Sequence, residues 1–106
     1  MRQTTNTRLR WRIMVGLDTQ ADGTTMDYSW ARETALNVAA SLDAFGAVDG
    51  VGWWNGLKER SLVIEYIGED SERDRIHVIA NMIARYLNQE EVWVSEEPIT
   101  LTRIAQ

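Results

Sequence analysis

The side chains able to do acid–base or nucleophilic chemistry in this sequence are few. There is one histidine, His77, and no cysteine. The absence of cysteine removes thiolate nucleophiles, disulfides and cysteine-based metal sites. His77 shares the polar side of a predicted helix with Asp74, Asn81 and Asn88, so it reads as a solvated residue. The serines therefore lack a histidine base. No G-x-S-x-G, P-loop or dinucleotide fingerprint occurs. The glycines of Gly50-Val51-Gly52 lie in a predicted strand rather than before a helix, which disqualifies them as a phosphate cradle. A metal would have to be held by carboxylates, and no Asp-x-Asp cluster is present; neither metal nor cofactor is expected. Glu65, Glu90 and Glu91 remain as acid–base candidates. Only Glu65 falls on an otherwise apolar strand face, where burial can raise a carboxyl pKa. An ion pair with Arg10 or Arg12 on the neighbouring strand accounts for it equally. The sequence assigns no catalytic residue and leans away from catalysis.

These residues must be positioned by a small set of elements. Leu9 to Leu17 alternates, with Trp11, Ile13 and Val15 on one face and Arg10, Arg12 and Met14 on the other, which predicts a strand. A turn with Asp22-Gly23 follows. From about Asp27 to Phe45, Ala31, Ala35, Val38, Leu42 and Phe45 recur at helical spacing, with Thr25 or Asp27 as N-cap and Gly46 closing the helix. Asn55-Gly56 predicts a two-residue hairpin turn between two further strands. Glu69 to Gln89 predicts a second helix, opened by Ser71 and Asp74 and striped by Ile76, Ile79, Ala80, Ile83 and Leu87. A last strand follows, interrupted at Pro98, with an extra edge strand through Leu101. The order β-α-β-β-α-β predicts an α+β, ferredoxin-like domain over residues 1–106, with sheet order 4-1-3-2, both helices on one face and residues 1–7 as a flexible arm.

That architecture leaves one sheet face open. A two-residue turn places Trp54 opposite Leu57 and Trp53 opposite Lys58. Trp53 then points to the helix-backed core and Trp54 to the open face; a bulge at Gly50 or Gly52 would exchange them. The open face is expected to hold Arg12, Met14, Trp54, Val63, Glu65, Ile67 and Trp93. Two tryptophans in one solvated patch call for a cover. The expected cover is a second copy packed face to face, with a ligand pocket compatible with that arrangement. The alternative is the segment Ile99–Ile104 folded back over the patch.

The chain has 106 residues and a net charge of −5, with 44% hydrophobic and 25% charged residues, as one soluble domain would. Residues 61–106 carry the whole excess of acid. Glu69, Asp70, Glu72, Asp74, Glu90, Glu91, Glu96 and Glu97 form a candidate acidic face for a basic partner. Direct nucleic-acid binding is disfavoured by the acidic balance. The N-terminus lacks a signal-peptide core and no apolar run reaches membrane-spanning length, so a cytoplasmic protein without membrane contact is expected.

Gly52-Trp53-Trp54, Glu59-Arg60-Ser61 and Asn88-Gln89-Glu90-Glu91-Val92 resemble a group of small uncharacterised bacterial proteins. Those proteins carry G-x-W, then E-x-S-x-V, then a helix closing in Q-E-x-V. The resemblance spans about residues 10–95; it implies the βαββαβ fold and no particular activity. Size and acidity are also similar to bacteriophage accessory proteins, including inhibitors of host defence. Dimeric ferredoxin-like proteins further resemble cofactor-free monooxygenases, which use an aromatic-lined cavity on the sheet.

The sequence thus favours a non-catalytic binding protein, a homodimer holding a host protein or small ligand through its tryptophan-rich face. Its alternatives are a cofactor-independent enzyme using Glu65 and Arg12, and an acidic mimic of nucleic acid.

Overall fold

In the computed structural model, which describes Met1–Gln106, the alternating N-terminal segment is β1 (Arg2–Gly16), the spine of the sheet. It is followed by α1 (Tyr28–Ala39), β2 (Gly46–Trp54), β3 (Leu57–Gly68), a 3₁₀ turn (Asp70–Glu72), α2 (Arg73–Tyr86) and β4 (Trp93–Ala105). The sheet is antiparallel in the order β2-β3-β1-β4, which is the expected ferredoxin-like arrangement. Period-two side chains of β1 and β3 point Trp11, Ile13, Val15, Leu62 and Ile64 at the helices, and all five are buried. α1 meets them with Ala31, Ala35 and Ala39, small enough for close approach. α2 meets them with Ile76, Ile79, Ala80 and Ile83. No helix is long and apolar enough to cross a membrane.

The β2–β3 register follows from its turn. Asn55 and Gly56 both have positive φ, 51° and 78°, as a tight hairpin of this type requires. Trp54 consequently pairs with Leu57, Trp53 with Lys58 and Gly52 with Glu59.

Several sequence expectations are corrected. Residues 2–7 are not a free arm; they pair with β4 from Arg2 against Ala105 onward. Pro98 does not interrupt the last strand. β4 is an edge strand, where a residue without an N–H is tolerated, and it continues to Ala105, so Ile99–Ile104 neither forms a separate strand nor folds back over the tryptophans. α1 stops at Ala39, and Leu42 reaches the core from the following turn. Asp27, not Thr25, caps it by accepting from Trp30 N–H at 2.8 Å. The capping box of the second helical segment is formed by Glu69 and Glu72 rather than Ser71 and Asp74.

Candidate functional site

The open face is divided into two regions. Towards the N-terminal half of β1 it is a ladder of ion pairs. Arg12 stands opposite Glu65 and donates to it at 2.9 Å, while Arg10 grips Glu97. Glu65 is therefore a paired carboxylate, and it lines neither of the two best-formed pockets, so the expected acid–base role for Glu65 with Arg12 draws no support from them. Met14 and Val63 face each other across β1 and β3 and are half-buried; Ile67 is exposed.

Towards the other end the strands carry almost no side chains. Gly16 and Gly50 both pair with Ser61 there, and Gly52 pairs with Glu59. This gap holds Trp54 and Glu59. Trp54 folds back over Gly52, its Nε1 only 2.9 Å from where a Cβ at 52 would stand. Its ring meets Trp93 edge to face, with centroids 5.0 Å apart, a favoured aromatic geometry. The indole N–H of Trp54 is buried and unpartnered.

Glu59 leans the other way, over Gly16, and is 7% exposed. A Cβ at 16 would lie 2.9 Å from its Cδ, so glycine is what admits the carboxylate. Its Oε1 accepts from Asp18 N–H and Thr19 N–H, both at 2.8 Å. Oε2 has no hydrogen-bond partner. A carboxylate with one oxygen fixed by two backbone donors and the other free is oriented to act on something that enters.

The loop that supplies those donors is itself pinned. Leu17 N–H donates to Arg60 C=O, and the Arg60 guanidinium grips the Asp18 carboxylate while lying 4.0 Å over the Tyr28 ring. Arg60 holds the Asp18 carboxyl below its ordinary range. From the segment before β4, Gln89 donates to Gly16 C=O, leaving its own Oε1 buried without a partner.

Gly52, Trp54, Glu59, Ser61 and Gln89 are the residues of the G-x-W, E-x-S and Q-E motifs, and the fold gathers them at one end of the sheet. In the sequence Glu59 stands out only through that resemblance, which does not give its position. The signal was present: the hairpin register sets Glu59 opposite Gly52, which leaves room for it. Trp53 departs from expectation in another way. It lies on the helix side of the ladder yet is 66% exposed. The helices cover β1 and β3 but not the edge strand β2, which contributes no buried residue.

The predicted acidic face is not assembled. Glu97 lies opposite Arg10 on the open face and Glu96 opposite Trp11 on the helix side. Glu96 is held below its ordinary pKa by Arg73, with Trp11 Nε1 also donating to it. Glu72 accepts from the Tyr66 hydroxyl at 2.5 Å, which pushes the Tyr66 pKa up. Glu69 approaches Arg8 at 3.7 Å, and Glu91 accepts from Trp93 Nε1. Asp70, Asp74 and Glu90 form no ion pair. No group of histidine and carboxylate side chains is arranged to hold a metal ion.

No family model matches the chain, and no curated protein matches it. Among solved structures, the fold is similar to one described as a phage SAM lyase in its apo state. That match has a TM-score of 0.67 and 18% identity, covering 92% of this chain and 90% of the other. The likeness establishes the shared ferredoxin-like fold. The matched structure is described as an enzyme, which stands against the expectation of a non-catalytic binding protein.

Proposed function

We propose that this chain is a small cofactor-independent lyase acting on a sulfonium nucleoside of the S-adenosylmethionine type, with Glu59 as its base. The observation that carries this reading is the oriented, nearly buried Glu59 carboxylate beside the Trp54–Trp93 pair. The fold likeness to a phage SAM lyase supplies the substrate class.

The chemistry suits the groups. A sulfonium is a cation, and aromatic rings and a carboxylate both attract cations. In an elimination, a proton leaves the carbon adjacent to the one bonded to sulfur. Its C–H pair becomes the new π bond, and the C–S pair departs on sulfur as a neutral thioether. No oxidant, reductant or water is consumed. Charge on the sulfonium disappears in the transition state, so a carboxylate that merely paired with it would stabilise the substrate more than the transition state. The productive role for Glu59 is therefore proton removal, performed by the free Oε2 while Oε1 stays fixed. The Trp54–Trp93 pair supplies a face for the purine.

The test is direct. Purified protein incubated with S-adenosylmethionine is followed by liquid chromatography and mass spectrometry. A thioether nucleoside should accumulate as substrate is lost, and Glu59→Gln should stop it with the fold intact. Absence of cleavage by the native protein, or an unchanged rate in Glu59→Gln, sinks the assignment.

A further inference from the structure

β1 and β4 outrun the rest of the sheet. β1 pairs with β3 only from Leu9 to Gly16, but with β4 from Arg2 to Met14. Residues 2–8 and 99–105 thus form a two-stranded ribbon extending about 24 Å beyond the last shared pair, at about 3.4 Å per residue, in a molecule 51 Å long and 24 Å wide. A two-stranded ribbon standing alone in water is marginal at best; a third strand or an apolar cover is what makes it persist. None of its residues is buried.

The ribbon's charge separates it from the body. Arg2, Arg8 and Arg103 are its only charged side chains, while the remaining residues carry eight basic against sixteen acidic ones. The pairing register places Arg2 against Ala105, Thr4 against Arg103, Asn6 against Leu101 and Arg8 against Ile99. By the period of two, these residues share one face, so that face is both basic and apolar. Arg2 and Arg103 have no acidic partner.

A surface of the opposite character lies between α2 and β4. It is a groove of about 300 Å³ with Ala80, Ala84, Val92 and Val94 along it and Glu90 and Glu91 at its side. Glu90 forms no ion pair. The molecule's own ribbon leaves β4 at the end away from Val92 and Val94, and so runs away from its own groove.

We propose that the ribbon of one chain docks on the α2–β4 groove of a second copy, Arg103 meeting Glu90 and Leu101 meeting the apolar floor. Charge complementarity selects the copy: each molecule presents both halves of the contact. Two chains related by a two-fold axis exchange ribbons and satisfy both halves at once. This assembly differs from the tryptophan-face dimer expected from sequence and leaves the Glu59 end of the sheet free. It does not rest on the proposed lyase activity.

Sedimentation velocity tests it, with circular dichroism confirming the fold of each variant. At about 10 μM, within reach of an interface of ordinary size, the native chain should sediment as a dimer. It should shift towards single chains in about 1 M salt, which screens exposed pairs. Arg103→Glu should weaken association at least about tenfold and Glu90→Arg likewise, while an equimolar mixture of the two variants should recover most of it. A native single chain, association indifferent to both charge reversals, failure of the mixture to recover, or a ribbon occupied only by added oligonucleotide each overturns the proposal.

Discussion

Glu59 occupies the space that a side chain at Gly16 would need: the carboxylate Cδ stands 2.9 Å from the missing Cβ. Gly16→Ala should therefore displace the carboxylate from the Asp18 and Thr19 N–H groups. Overpacking of this kind costs about 1–3 kcal/mol. The expected result is a lowered melting temperature together with lost turnover of S-adenosylmethionine. Native turnover and stability in the variant would show that Glu59 moves without consequence.

Glu59→Gln and Glu59→Ala should separate chemistry from structure. Glutamine retains an oxygen that accepts from Asp18 and Thr19 N–H, so stability should change little. Its loss of basicity should lower turnover by about 10²–10⁴-fold, the usual range for a general base. Alanine leaves both N–H donors without their acceptor and should destabilise the chain by about 1–3 kcal/mol as well. Chemical denaturation and substrate depletion, measured on the same samples, distinguish the two effects.

Trp54 and Trp93, with centroids 5.0 Å apart and planes 64° apart, should couple electronically. A far-UV exciton couplet is expected in circular dichroism. Trp54→Phe and Trp93→Phe should each abolish it, and the double variant should remove nothing more. A couplet surviving either substitution would place the rings apart. Addition of S-adenosylmethionine to Glu59→Gln should perturb the same signal, because the purine is proposed to stack there.

Acid should destabilise the fold through Asp18 and Glu96. Both carboxyls are held below their ordinary values, 3.8 and 4.5, by Arg60 and Arg73 respectively. A depressed folded-state pKa stabilises the native chain above the unfolded value, and that contribution is lost as pH falls through the folded one. Asp18→Asn should flatten the fall of melting temperature below about pH 4, where the unfolded carboxyl titrates. An identical acid limb in the variant would remove Asp18 from the account.

The chain's patterning made the fold readable. Strict alternation gave β1 from Leu9 onward but not residues 2–8, helical spacing gave the α2 stripe and Ala31 and Ala35 of α1 but not Ala39, and Asn55-Gly56 set the hairpin register. The site was less legible because it depends on absent side chains. Gly16 and Gly52 are far apart in sequence, and only the finished register shows that their gaps flank one carboxylate. Glu65 lies on an otherwise apolar strand face, but Arg12 stands directly opposite and pairs with it. The exposure of Trp53 depends on how far the helices reach across the sheet, which periodicity does not encode. The course of β4 through Pro98 depends on its being an edge strand.

The pairing of Arg2 with Ala105 also bears on how the chain folds. β1 is made before its neighbour β4, and Arg2 waits for a partner more than a hundred positions later. Contacts of such separation form slowly, because the loop between them must close before they repay it. The hairpin and α2 can order early, while the outer edge of β1 waits for residues 93–105. During synthesis that edge is an unpaired template for other strands. The polar run Gln3 to Thr7, free of large apolar residues, keeps much of it soluble during the wait.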